Sequence, residues 1–216
     1  MGQSPTRIIL CSIDEPLAKA WQTYCGDLKQ VEIHHGNILN LNVDAVVSPA
    51  NSFGFMDGGI DMVYSQHFGW NVQQQLQNQI KHLHNGELLV GRADIVETNH
   101  SQIPYLIAAP TMRVPMILKQ TVNPYLAARA VFLLIKQGVF PTGALKGERI
   151  QDGVKSVALP GLGTGVGRVP PEKCAFQVRT AIKEVMFGEY EFPTSWAEAQ
   201  MRHQQMYTDK FRDLQY

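Results

Sequence analysis

The chain has 216 residues, of which 44% are hydrophobic, and its 19 basic residues balance its 19 acidic residues. This length and composition suffice for one sizeable domain with a buried core. Zero net charge argues against a general nucleic-acid or membrane-surface binder, because such proteins carry a field of one sign.

Short apolar runs alternate along the chain with segments of helical periodicity. In chain order we predict a strand at 6–13, a helix at 15–25, strands at 31–37 and 43–51, helices at 60–69 and 71–86, strands or a hairpin at 87–98, a strand at 103–110, a helix at 123–138, a strand at 154–161, and helices at 170–188 and 195–211. This alternation predicts a three-layer α/β/α fold with a mixed, largely parallel central sheet.

The chain is predicted to form one α/β domain, residues 1–188, followed by a helical tail, residues 189–216. The tail begins a helical pattern at Ser195, a favourable N-cap, and its apolar residues recur at helical spacing. We therefore expect the tail to pack back on the domain. The three cysteines of the chain lie far apart in sequence, which predicts reduced thiols in a cytoplasmic protein. No metal site or cofactor is expected.

Two glycine-rich stretches follow predicted strands, "SPANSFGFMDGGID" and "ALPGLGTGVGRVP". Ligands of parallel α/β sheets bind outside the carboxyl ends of the strands. Glycine lets the backbone approach a phosphate closely, and a following helix offers its positive end to the anion. Either stretch by itself reads more simply as a tight turn, and neither matches a P-loop or a Rossmann fingerprint. Together, at one sheet edge, they predict a clasp for a diphosphate.

These stretches also carry a resemblance. "HGNILNLNVDAVVSPANSFGFMDGGID", followed by "VALPGLGTGVGRVPPEKCA", resembles the macrodomain family of Appr-1″-p processing type over residues 30–187. The stretch "AAPTMRVP" resembles its variant, macro-like group. The resemblance implies a cleft for ADP-ribose or a close derivative. Some members of the family hydrolyse ADP-ribosyl esters, some dephosphorylate ADP-ribose 1″-phosphate, and some only bind.

The resemblance implies roles for individual residues. Asn37 stands where the family has an aspartate that accepts from the adenine amino group, Asn51 would reach the distal ribose, and Asp61 would position or activate the attacking water. The alternative for Asp61 is an acid stabilised by the helix dipole. The remaining expected ligand-binding residues are Ile38, Phe53, Gly58, Gly59, Ile60, Pro110, Gly161, Gly163, Thr164, Gly165, Val166, Gly167 and Arg168.

Within that set, the four glycines of the second stretch are expected to form a backbone nest for the distal phosphate. Gly163 is expected to accept a glutamate without unfolding while losing the ligand. The hydroxyl of Thr164 would add a donor, and Arg168 would add a cation near a terminal phosphate.

The sequence departs from the family pattern at three further positions. Ser48 replaces the first asparagine of the strand end, Ser65 replaces the histidine of the hydrolases, and Gly167 replaces an aromatic residue that packs on the distal ribose. Phe53 or Phe55 is the candidate for a substitute ring, with ordinary loop packing as the alternative.

These departures leave the activity open between weak hydrolysis, a non-catalytic reader of ADP-ribosylated proteins, and binding of another nucleotide diphosphate. The expected partner is ADP-ribose or an ADP-ribosylated protein. Neither a membrane nor a nucleic acid is expected as a partner, and the oligomeric state stays open.

Overall fold

The computed structural model describes residues 6–212; residues 1–5 of the predicted domain and 213–216 of the predicted tail lie outside the described residues. The strands are β1 Arg7–Ser12, β2 Val31–His35, β3 Ala45–Ser48, β4 Asp94–Glu97, β5 Tyr105–Ala108 and β6 Ser156–Leu159. The helices are α1 Glu15–Cys25, α2 Gly59–Phe68, α3 Asn71–Leu83, α4 Asn123–Gln137, α5 Ile150–Gly153, α6 Pro171–Ala181 and α7 Trp196–Gln205.

The strands form one sheet in the order β2-β1-β6-β3-β5-β4. All neighbours are parallel except β4 and β5, which are antiparallel. At the centre, Ala45 pairs with Val157 and Val46 pairs with Ala158. The predicted mixed, largely parallel sheet is confirmed.

Helices cover both faces of this sheet. Successive side chains of a strand point to opposite faces, and in β1 Ile8 packs in a cluster with Trp21 of α1 and Phe132 of α4. Its neighbour Ile9 packs on the other face with Tyr64 of α2. The three-layer α/β/α prediction is therefore confirmed.

The predicted strands or hairpin at 87–98 are wrong for the first half of that range. The single strand there, Asp94–Glu97, pairs antiparallel with β5, from which it is separated in sequence by a loop. Before it, the chain runs against the first glycine-rich stretch, where the N–H of Leu88 donates to the carbonyl of Ser52 at 2.9 Å. Backbone pairing with that stretch takes the place of a hairpin.

The tail contacts the domain through α6. Ser195 caps α7 by accepting from the N–H of Glu198 at 3.1 Å. After α7, the carbonyl of Met206 accepts from Nε2 of Gln177 at 3.0 Å, and Asp209 pairs with Lys173 at 2.9 Å. Within residues 6–212, no helix is long and apolar enough to cross a membrane.

Candidate functional site

Two loops leave the sheet at the same edge, and they define the candidate site. The first glycine loop, residues 49–58, follows β3, and the second glycine loop, residues 160–170, follows β6. Because β3 and β6 are parallel neighbours, their carboxyl ends lie side by side. The first loop leads into α2 and the second leads into α6, so a helix N-terminus follows each loop.

The side chain of Asn51 stabilises the conformation of the first glycine loop through hydrogen bonds. Its Oδ1 accepts from the N–H groups of Phe53 at 3.1 Å and Phe55 at 3.3 Å, and its Nδ2 donates to the carbonyl of Phe55 at 2.9 Å. Both ends of its amide are engaged within the loop, and its contact with a ribose stays a prediction.

The end of the first glycine loop offers backbone donors. Within residues 6–212, the N–H groups of Gly58, Gly59 and Ile60 have no hydrogen-bond acceptor. Both glycines are exposed, and a Cβ added to either would meet open space. Gly59 has a φ of +56°, a backbone conformation that favours glycine. These groups can therefore hydrogen-bond an anion from outside.

The second glycine loop also offers backbone donors. The N–H groups of Thr164, Gly165 and Val166 have no acceptor in the described part of the chain. Gly165 is exposed, with open space where its Cβ would be. Val166 is 62% exposed and Arg168 is also exposed, so both side chains stand at the surface of this loop.

The other three glycines of this loop are closely packed, and the nest of four glycines stays a prediction. An added Cβ would meet Thr164 and Leu17 at Gly161 and would lie 3.1 Å from Leu118 at Gly163. At Gly167 it would lie 2.5 Å from the carbonyl oxygen of Gly163. These three glycines permit close packing of the loop, and the expectation that Gly163 tolerates glutamate is wrong because Gly163 is buried with a φ of +69°.

The segment between β5 and α4, residues 109–122, joins the two loops. Leu118 donates its N–H to the carbonyl of Gly167 at 2.7 Å, and Arg113 accepts at its carbonyl from the N–H of Ser52 at 3.2 Å. Pro110, expected at the ligand, is buried at the start of this segment. Sequence reasoning missed the bridging role, because the stretch "AAPTMRVP" signals a turn but not what the turn contacts.

The two candidate rings have different surroundings. Phe53 is partly buried, and the guanidinium of Arg113 lies 5.1 Å from its ring centroid. That guanidinium also pairs with Glu87 through a 2.7 Å contact between Nε and Oε1. Phe55 is 53% exposed. Of the two rings, Phe55 is therefore the one that stands free for an outside group.

Asp61 lies in the first turn of α2 and is 7% exposed. Its Oδ1 accepts from the hydroxyl of Ser48 at 2.5 Å. Burial raises the pKa of Asp61 to about 7, and the hydrogen bond from Ser48 opposes that rise. The arrangement ties α2 to β3 beneath the first glycine loop.

Ser65, which stands where the hydrolases keep histidine, is fully buried. Its hydroxyl donates to the carbonyl of Met56 at 2.9 Å. His67 is exposed and contacts the rings of Phe68 and His100, as expected of a surface histidine. No cluster of three or more potential metal ligands occurs within residues 6–212.

Asn37 lies directly beyond β2, which is two strands away from β6 in the sheet. It is exposed, and its Oδ1 accepts from the N–H of Leu39 at 3.0 Å, which caps the short 3₁₀ turn Ile38–Asn40. The side chain of Ile38 is 5% exposed. Its N–H has no acceptor in the described residues.

A family model described as "Macro domain" matches residues 47–178. An uncharacterised protein from Aquifex aeolicus is 28% identical over 155 residues, covering 72% of this chain and 80% of that protein. Among solved structures, the macrodomain of Mycobacterium tuberculosis DarG superposes with a TM-score of 0.55 at 19% identity, covering 70% of this chain and 88% of the other. A macrodomain mutant of Oceanobacillus iheyensis with ADPR gives a TM-score of 0.56 at 19% identity, covering 70% of this chain and 75% of the other.

Proposed function

Because this chain belongs to the macrodomain family, we propose that it binds ADP-ribose or a close derivative in the cleft between its two glycine loops. The observation that carries the proposal is the parallel pairing of β3 with β6, which sets two groups of free backbone N–H donors at one sheet edge. The Oceanobacillus iheyensis relative solved with ADPR supports this choice of ligand.

The physical basis of binding is the fit between backbone donors and a diphosphate. The N–H groups of Gly58 to Ile60 and of Thr164 to Val166 each supply a set of hydrogen bonds to phosphate oxygens. Since α2 and α6 follow these loops, their positive ends favour the same anion. Arg168, exposed beside the second set, adds a cation.

We favour binding over catalysis. Ser48 holds the carboxyl of Asp61 in the interior, and Ser65 donates to a loop carbonyl. Neither group of the hydrolase pair is therefore free to act on a ligand-bound water. A reader of ADP-ribosylated proteins or a sensor of free ADP-ribose needs no such pair.

Slow hydrolysis of an ADP-ribosyl ester or of ADP-ribose 1″-phosphate is the second candidate. Asp61 favours it, because a carboxyl with a pKa of about 7 matches the protonation range of a general base at neutral pH. That carboxyl also lies two residues after the free N–H of Gly59.

A cytoplasmic location completes the proposal. The described cysteines Cys11, Cys25 and Cys174 are free thiols, and burial raises the pKa of each to between about 11 and about 12. Buried free thiols fit a reducing compartment.

Isothermal titration calorimetry with ADP-ribose tests the binding proposal. We expect a dissociation constant in the micromolar range, about −7 to −8 kcal/mol. Gly165→Glu should weaken binding strongly, because it places a negative charge beside the free N–H groups, whereas the matched Gly165→Gln should weaken it less. No heat at millimolar ADP-ribose, from a protein that unfolds cooperatively, would refute the proposal.

A turnover assay separates the two candidates. ADP-ribose 1″-phosphate and an ADP-ribosylated peptide are the substrates, and Asp61→Ala is the variant. Under the hydrolysis candidate, turnover should fall by about 10²-fold or more in that variant. Brisk wild-type turnover that depends on Asp61 would overturn the preference for binding.

A further inference from the structure

We propose that the described part of the tail, residues 189–212, is a docking surface for a second copy of this chain, so that the protein forms a homodimer. The surface consists of exposed aromatic side chains, and each copy supplies the same set to the other. It is separate from the ligand site, because none of its residues belongs to the glycine loops.

Polar contacts anchor the tail to the domain. Within α7, which the structure describes in full, Gln204 is the one buried residue. Beyond α7, the carbonyl of Met206 accepts from Nε2 of Gln177. A surface helix ordinarily turns its apolar residues toward the core, whereas Trp196, at the start of α7, is 65% exposed. The large apolar side chains of the tail therefore remain available to another molecule.

The segments on either side of α7 are fixed against it. Before α7, the carbonyl of Glu191 accepts from the guanidinium of Arg202 at 2.7 Å. After α7, the N–H of Arg212 donates to a glutamine of the helix at 2.8 Å. Because each of these backbone groups adjoins a phenylalanine, the exposed Phe192 and Phe211 are both held beside α7. The aromatic residues of the tail thus belong to one small unit.

The exposed aromatic area is large enough for a dimer. Tyr190, Phe192, Trp196 and Phe211 are between 51% and 78% exposed. With about 200 Å² for each such side chain, one copy exposes about 500 Å² of aromatic surface. Two copies would bury about 1,000 Å² of it, and since homodimer interfaces are about 65% apolar, the whole interface would be about 1,500 Å². Stable interfaces bury about 1,200 to 2,000 Å², so the tail meets this requirement.

The charges of the tail favour a copy of itself over an oppositely charged partner. Residues 189–212 contain four acidic and three basic residues. Arg202 pairs with Glu191 at 3.3 Å and with Glu198 at 2.5 Å, and Asp209 pairs with Lys173 of α6. Because these pairs leave little field of either sign, two tails can meet without like-charge repulsion. A membrane surface fits less well, because helices that bind it carry a strongly basic face.

The composition of this surface is typical of interfaces between copies of one chain. Tyrosine, phenylalanine, tryptophan and methionine are enriched at the centre of interfaces, and an enclosed tryptophan often dominates the binding energy. In a twofold dimer the same patch serves both copies, so Trp196 of each copy packs against the tail of the other. Replacement of Trp196 should therefore separate the copies.

Sedimentation velocity from low to high micromolar protein concentration tests the inference. We expect the wild-type protein to form a species of twice the chain mass of 24.2 kDa. Trp196→Asp places a carboxylate in the interface and should raise the dissociation constant of the dimer by at least about 30-fold. An acidic residue in the first turn of a helix suits the helix dipole, so this variant keeps α7.

Trp70→Asp is the matched control. Trp70 is 48% exposed and directly precedes α3, so it too stands at the start of a helix. That helix packs on the other face of the sheet from α6. We expect Trp70→Asp to dimerise as the wild-type protein does. Far-UV circular dichroism verifies that both variants are folded.

A wild-type protein that stays monomeric at high micromolar concentration, as expected if the rings serve another protein or a membrane, would overturn the inference. So would a dimer that Trp196→Asp leaves intact, a dimer that both substitutions weaken alike, or an assembly larger than a dimer. None of these outcomes bears on the binding of ADP-ribose, which calorimetry tests separately.

Discussion

The hydroxyl of Ser48, at the end of β3, and the carboxyl of Asp61, in the first turn of α2, form a 2.5 Å hydrogen bond in the protein interior. The first glycine loop lies between them in sequence, so this bond fixes both ends of the loop. Asp61, expected to act in catalysis, thus contributes to the architecture of the site.

The first prediction concerns the pH dependence of stability. The pKa of Asp61 in the folded protein is raised to about 7, above its ordinary value of 3.8. Between these values the folded state keeps the proton and the unfolded state has lost it, so rising pH lowers the free energy of unfolding. Asp61→Asn removes this titration, and its stability relative to wild type should rise by about 2 to 3 kcal/mol from pH 5 to pH 8.

Urea unfolding of both proteins at the two pH values measures this difference. Because every other titrating group is common to both proteins, their contributions cancel in the comparison. A relative stability that is the same at pH 5 and pH 8 would show that Asp61 titrates normally.

The second prediction concerns the position of the missing histidine. Ser65 is fully buried and bonds the carbonyl of Met56, so Ser65→His inserts a larger ring into a packed interior. Overpacking of this kind costs about 1 to 3 kcal/mol. We expect Ser65→His to lower stability without creating hydrolysis, as measured by chemical unfolding and the turnover assay. Hydrolytic activity in a stable Ser65→His protein would contradict the packing argument.

The third prediction compares two glycines of the second glycine loop. Gly163 has a φ of +69° and an added Cβ would press on Leu118 and Val169, whereas Gly165 has open space. Gly163→Ala should destabilise the protein by about 1 to 3 kcal/mol, and Gly165→Ala should change stability by less than about 0.5 kcal/mol. Thermal unfolding of the pair tests this, and equal midpoints would count against the described loop conformation.

The fourth prediction concerns Asn51. Asn51→Ala removes three hydrogen bonds that shape the first glycine loop. Since a net hydrogen bond contributes about 1 kcal/mol, we expect a loss of about 1 to 3 kcal/mol and weaker binding of ADP-ribose. Asn78→Ala, at an exposed position of α3, is the control and should leave binding of ADP-ribose unchanged without lowering stability, because alanine favours the helix. Retained stability with lost binding would instead indicate direct contact with the ligand.

The fold was largely predictable from periodicity. The apolar runs of β1, β3, β5 and β6 are short and mostly buried, and proline follows three of them closely, at Pro49, Pro110 and Pro160. These features are typical of strands. The region before β4 was not predictable, because the backbone of Leu88 bonds the first glycine loop while Leu89 is 56% exposed. Periodicity does not reveal which partner a segment has.

The candidate site was predictable in its location and less so in its details. Strand order brought both glycine loops to one edge, as the motifs predicted. The inward packing of Gly163 depends on Leu118, a residue distant in sequence and supplied by the segment after β5. The direction of the Asn51 amide depends on local loop conformation. A sequence motif encodes neither the packing partner of Gly163 nor the orientation of the Asn51 amide, so both had to come from the structure.

The position of β6 has a consequence for how this chain folds. This strand is the last in sequence, yet it lies between β1 and β3. During synthesis, β1 with β2 and β3 with β5 and β4 are therefore two separate half-sheets until residue 159 has emerged. Pairings of such long sequence separation form slowly, and the open edges of the half-sheets expose unpaired backbone in the meantime. A ribosome stalled before β6 would display a chain prone to aggregation, and the arrival of β6 closes the sheet and brings the two glycine loops together in one step.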